Sequence, residues 1–139
     1  MATVIRPNIS QKNRYWIDKH RHYELKHFCL QYPNWKQECA TYSSPSISSS
    51  IADRMPSSNL PGDPTTNWVM RKAYYQERIK LVEDIAKQTD RYLCEYILRA
   101  VTEELSYTYL KTKMDIPCGR DMYYDRYRKF FWLLSKARD

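Results

Sequence analysis

Glycine is almost absent from this chain, which has 139 residues and only two glycines, Gly62 and Gly119. Folds rich in β-hairpins depend on glycine at tight turns, so a chain this poor in glycine is unsuited to a turn-rich β architecture. Hydrophobic residues still make up 42% of the sequence, which is enough to form a buried core. The sequence therefore predicts an all-α fold.

One segment, residues 43–66, differs from the rest in composition. It contains eight serines and four prolines, which makes it too polar to bury a core and too rich in proline for a helix. We expect it to link a basic helical N-terminal segment, residues 1–42, to a C-terminal helical domain, residues 67–139. The spacing of apolar residues, caps and breakers predicts helices at residues 14–31, 35–42, 67–88, 91–104, 107–114 and 120–137.

Positive charge is concentrated at the two ends of the chain. Of the net charge of +7, residues 1–42 carry +4 (7 Lys/Arg less 3 Asp/Glu) and residues 105–139 carry +4 (8 less 4), while residues 43–104 carry −1 (8 less 9). Basic segments bind polyanions because each neutralised phosphate releases counterions. A solvated surface accounts for the same charge, so charge alone leaves both interpretations open.

The last predicted helix has two distinct faces. Its apolar residues recur at the spacing of one buried stripe, and Arg, Asp and Tyr share the other face near the start of the helix. The stripe contains Tyr123, Tyr127, Phe130, Phe131 and Leu134. Phe130, Phe131 and Trp132 are consecutive, so one neighbouring helix cannot cover all three, and Trp132 is the candidate for a surface that needs a partner.

The segment at 106–137 predicts a helix-turn-helix, with residues 120–137 as the helix that enters the major groove of DNA. Asp115 tolerates the left-handed backbone that such a turn requires, and Pro117 lacks an N–H that a turn does not need. Arg can form two hydrogen bonds with guanine, and Tyr can bond phosphate or pack on a thymine methyl. Asp can accept a hydrogen bond from cytosine or hold a neighbouring Arg in position. The candidate DNA-binding residues are Arg120, Asp121, Tyr124, Asp125, Arg128, Lys129, Lys111 and Lys113. A plain helical hairpin that ends a bundle is the alternative.

Residues 105–138, LSYTYLKTKMDIPCGRDMYYDRYRKFFWLLSKAR, resemble the C-terminal module of phage-encoded late-gene transcriptional regulators of the ArpU/RinA type. That module is similar to region 4 of bacterial sigma factors. The GDPT at residues 62–65 is a second, weaker likeness. The resemblance implies a helical DNA-binding activator of phage or prophage genes in the cytoplasm of a bacterial host. It also implies that Arg120, Tyr124 and Arg128 read the DNA, with residues 107–114 as the supporting helix.

Two other functions stay open: a sigma-like or adaptor protein whose main partner is host RNA polymerase, and a structural or packaging protein of a phage. A homodimer is a further candidate assembly. An enzyme is the least expected class, because the sequence has no phosphate-binding or nucleotide-binding glycine pattern and no nucleophile elbow.

We expect no cofactor, no metal and no membrane span. His20, His22 and His27 with Cys29 and Cys39 suggest zinc, but they lack the close pairs of ligands that zinc sites use. No run of apolar residues approaches the length of a membrane span or resembles a signal peptide.

Overall fold

A computed structural model of the chain describes residues 11–43 and 64–139. The predicted linker lies outside the described residues except at its two ends, as do residues 1–10. The described residues form helices, turns and loops without any strand, so the all-α prediction is confirmed. The helices in these ranges are α1 (Lys19–Leu30), α2 (Tyr32–Ser43), α3 (Pro64–Thr89), α4 (Cys94–Glu103), α5 (Tyr107–Lys113) and α6 (Arg120–Ala137).

The helix boundaries follow local capping. α1 begins later than predicted, because Asp18 stands in extended backbone and its carboxylate accepts the His20 N–H (2.9 Å). Pro33 lies in the first turn of α2, where proline's missing N–H costs no helical hydrogen bond. α4 ends at Glu103 and is followed by Glu104, whose φ of 58° is left-handed; the Leu105 N–H then donates to the Ala100 carbonyl (3.1 Å).

The chain divides into two compact units. The described residues of the first unit are 11–31 and 82–139, and those of the second are 32–43 and 64–81. In the first unit, α1 packs against both α4 and α6. This division differs from the predicted boundaries at residues 42 and 67, because those follow composition whereas α1 shares a core with the C-terminal helices.

The core of the first unit is formed by apolar side chains of α1, α4, α5 and α6 and of the end of α3, where Val82 and Ile85 are buried. The predicted stripe of α6 is confirmed, since all of its residues are buried. Leu25 from α1, Ile97 from α4 and Leu110 from α5 are fully enclosed. Three polar contacts add to this packing: Arg21 donates to the Ser135 carbonyl (3.0 Å), Lys26 pairs with Glu104 (3.0 Å), and Arg126 pairs with Asp90 (2.9 Å).

The second unit contains α2 and the first part of α3. Trp35 is buried in it, and the Cys39 thiol lies 3.9 Å from the Lys72 carbonyl oxygen. Val69, Met70 and Tyr74 of α3 are exposed. None of the helices in the described ranges is both long and apolar enough to cross a membrane.

His22 is a buried histidine among aromatic rings. Its ring lies 4.8 Å from that of Phe131 in an edge-to-face arrangement. Burial, together with the smaller effect of the positive charge of Lys26, lowers the pKa of His22 to about 4. The unfolded chain, with an ordinary histidine pKa of about 6.5, therefore binds this proton more readily than the folded protein does.

Protonation of His22 should make the stability of the protein depend on pH. The free energy of unfolding should be greatest above about pH 6.5 and should fall by on the order of 3 kcal/mol as the pH drops to about 4, from this group alone. Urea denaturation across this range would measure the slope. His22→Phe should flatten it and His20→Gln, at an exposed position, should not; equal slopes in all three proteins would contradict the assignment.

Leu25 tests whether α1 folds together with the C-terminal helices. Because this side chain is fully enclosed, Leu25→Ala should lower the free energy of unfolding by about 2–5 kcal/mol in chemical denaturation. Leu30→Ala is the matched control at a partly exposed position of the same helix and should cost less. A loss in Leu25→Ala as small as that of an ordinary surface substitution would show that α1 does not fold with that core.

Candidate nucleic-acid interface

The turn between α5 and α6 is closed by backbone hydrogen bonds. Ser106 caps the start of α5, since its hydroxyl accepts the Tyr109 N–H (3.1 Å). Asp115 takes the expected left-handed backbone, with φ of 54°. The Ile116 N–H then donates to the Leu110 carbonyl (3.1 Å), which returns the chain toward α6 with Ile116 fully buried.

Tyr107 joins the two sides of this turn. Its hydroxyl donates to the Cys118 carbonyl oxygen (2.8 Å), and its ring lies 5.5 Å from that of Tyr123 in the α6 stripe. Lys111, a predicted DNA-binding residue, lies with its ammonium 3.4 Å from the Ile116 carbonyl oxygen and so contacts the turn itself. The start of α6 is therefore fixed by side chains of α5.

Arg120 and Tyr124 come together at the start of α6. The Arg120 guanidinium donates to the Tyr124 hydroxyl (3.1 Å), and its central carbon lies 5.0 Å from the centre of the Tyr107 ring. Both residues lie beside α5, at the edge of the buried stripe, and Arg120 is exposed. These contacts hold the Arg120 guanidinium in a defined orientation. Its remaining N–H groups are available to donate to an acceptor.

The two predicted aspartates differ in their surroundings. Asp121 is exposed in the first turn of α6. Asp125 forms an ion pair with Arg126, whose Nε donates to Asp90 across the unit (2.9 Å). The expectation that Asp121 and Asp125 hold Arg120 and Arg128 is therefore not met: Arg120 donates to the Tyr124 hydroxyl, and Asp125 pairs with Arg126.

Asp90 and Arg126 were not predicted from the sequence. Burial would raise the pKa of Asp90, but hydrogen bonds from Arg126 and from the Leu93 and Tyr92 N–H groups outweigh it and lower that pKa. The carboxylate therefore stays charged at neutral pH and anchors Arg126. The two residues lie 36 positions apart, and no local pattern pairs them.

The remaining predicted residues are spread over α5 and α6. Arg128 is partly exposed, but its Nε is buried without a hydrogen-bond partner in the described part of the chain. Lys129 is partly exposed and Lys113 is exposed. The structure thus brings together only Arg120 and Tyr124 through a direct side-chain contact.

The turn has no activated thiol. Burial raises the pKa of Cys118, and the charge of Lys111 opposes this without reversing it. The thiol therefore stays protonated at neutral pH and is a poor nucleophile. Within residues 11–43 and 64–139, no group of three or more His, Cys, Asp or Glu side chains is arranged to hold a metal ion.

Comparisons of the chain with protein families, with curated proteins and with solved structures found no match.

Removal of the Tyr107 hydroxyl tests the structure of the turn. Tyr107→Phe should lower the free energy of unfolding by about 1–2 kcal/mol, because the Cys118 carbonyl loses its donor in a partly buried place. Tyr109→Phe, at an exposed position of the same helix, should change it by less than about 0.5 kcal/mol. Thermal and urea denaturation would measure both, and equal effects would mean that the hydroxyl does not stabilise the turn.

Proposed function

We propose that this protein is a sequence-specific DNA-binding transcriptional regulator, an activator of phage or prophage genes, that reads the major groove with α6. The proposal rests on the resemblance of residues 105–138 to late-gene regulators of the ArpU/RinA type. It is supported by a short helix, a tight turn and a longer helix in the order that a helix-turn-helix requires.

The observation that carries the proposal is the position of Arg120. An arginine that reads bases binds more tightly when its side chain is held in place before it meets DNA. Each side-chain rotation that is frozen on binding costs entropy and so reduces affinity. The Tyr124 hydroxyl and the Tyr107 ring supply that fixed direction at the start of α6. The N-terminal part of a recognition helix is the part that contacts base edges.

Substitution of the proposed reading residues tests this function. Arg120→Ala and Arg128→Ala should each weaken binding to the selected site by about 1–3 kcal/mol. The site would first be selected from a pool of duplexes and from DNA of the protein's own genomic neighbourhood, and binding would be measured by fluorescence anisotropy. Thermal unfolding of each variant would show that the fold is retained.

The matched control is Arg99→Ala on α4, where the arginine is exposed and paired with Glu103 (2.9 Å). It should leave binding and sequence preference unchanged. Wild-type affinity that is the same for the selected and scrambled duplexes would contradict sequence-specific reading. Unchanged affinity in both Arg120→Ala and Arg128→Ala would show that another face reads the DNA.

A protein partner is a second candidate for part of the chain. Val69, Met70 and Tyr74 on α3 are all exposed, at 52%, 63% and 49% of their surfaces, and lie within two turns of one another. Exposed apolar side chains grouped in this way suit a protein contact, such as the RNA polymerase contact of an adaptor. Retention of purified polymerase by the wild-type protein and its loss in Met70→Lys would support that role.

A further inference from the structure

A second group of basic and aromatic side chains lies where the start of the first unit meets the second half of α6. We call it the Trp132 cluster, and its members are Arg14, Tyr15, Arg128, Lys129, Trp132 and Lys136.

Trp132 is the centre of this cluster. The Lys136 ammonium lies 3.4 Å from the centre of the indole ring, and the Tyr15 ring meets the indole edge-on at 5.4 Å. Arg14 lies 4.6 Å from the centre of the Tyr15 ring and donates to its hydroxyl. Trp132, expected to need an outside partner, thus has partners within the chain, and the rings fix the positions of two cations.

The cluster combines four positive charges without a neutralising carboxylate. On the helix surface, Arg128, Lys129 and Lys136 are neighbours of Trp132 at spacings of four, three and four residues. In the described residues, no carboxylate forms an ion pair with any of these three or with Arg14. Two nearby acids are engaged elsewhere: Asp125 with Arg126, and Asp139 with Arg21.

The first half of α6 has the opposite character on its outer surface. Asp121 and Asp125 lie there, whereas Lys129 and Lys136 occupy the same line of the helix further on. From residue 128 to residue 136 the helix rises about 12 Å. That length corresponds to roughly three or four nucleotides of one DNA strand, which rise about 3.4 Å each.

We propose that the Trp132 cluster, through Arg14, Lys129 and Lys136, binds the phosphate backbone of duplex DNA independently of sequence, while Arg120 and Arg128 contact base edges. This inference rests on the proposed function of DNA binding. It assigns the phosphate contacts to the C-terminal half of α6, away from Arg120. Trp132 and Tyr15 act as positioning residues, since they fix Lys136 and Arg14 and leave the phosphate contacts to the cations.

The dependence of binding on salt tests the assignment. With a short duplex of mixed sequence, log K should fall linearly with log salt concentration, and each lost phosphate contact should reduce the slope by about 0.9. Lys129→Gln and Lys136→Gln should each cause that reduction without changing the preference for the selected site over scrambled DNA. Trp132→Leu should weaken binding to both duplexes equally, because it releases Lys136.

Lys87→Gln is the matched control, because it removes one exposed positive charge from α3, outside the cluster. It should leave the slope unchanged. If Lys129→Gln and Lys136→Gln also leave it unchanged while the wild-type protein binds the duplex, the cluster is not a phosphate site, and the proposed function stands.

Two other results would overturn the inference. A wild-type protein that binds no duplex at any salt concentration would overturn the proposed function and this inference together. Binding to phosphatidylglycerol vesicles that is lost in Lys136→Gln, without binding to duplex DNA, would overturn it in favour of a membrane surface. Thermal unfolding of each variant would confirm that binding losses do not come from unfolding.

Discussion

The burial of one face of α6 is the interaction on which the rest of the first unit depends. Tyr123, Phe130, Phe131 and Leu134 are almost completely enclosed, and burial of large side chains is the main favourable contribution to folding. α1 and α4 both pack against α6, so residues far apart in sequence are fixed relative to one another. The same burial sets the rotation of α6 and thereby decides which of its polar residues face outward.

That rotation divides the outer surface of α6 along its length. Aspartates near the beginning and lysines toward the end complement the helix dipole, which favours negative charge at the N-terminus and positive charge at the C-terminus. This arrangement stabilises the helix whatever the protein binds. It also means that a polyanion meets repulsion at one end of the helix and attraction at the other, except where Arg120 is fixed beside Tyr124.

Regular features of the fold were predictable from sequence. The all-α class, the buried stripe of α6, the cap at Ser106 and the left-handed Asp115 follow from periodicity and from local backbone preferences, which depend on near neighbours. Contacts between distant residues were not predictable. The docking of α1 on α4 and α6 and the pair of Asp90 with Arg126 depend on how the helices meet, which no spacing in the sequence records.

The candidate site was predictable in position but only partly in detail. The sequence places Arg120, Tyr124 and Arg128 on one side of a helix, but it does not show that the Tyr124 hydroxyl holds Arg120 or that Asp125 pairs with Arg126. The cations around Trp132 on α6 are visible in the sequence from their spacing. The contribution of Tyr15 and Arg14 requires the fold.

The left-handed backbone at Glu104 and Asp115 restricts how this sequence can vary. Both residues are exposed, and exposed positions of most proteins accept nearly any side chain. At these two the backbone itself excludes β-branched residues and favours glycine, asparagine and aspartate. At these two positions, which flank α5, the range of acceptable side chains is therefore limited by backbone geometry rather than by packing.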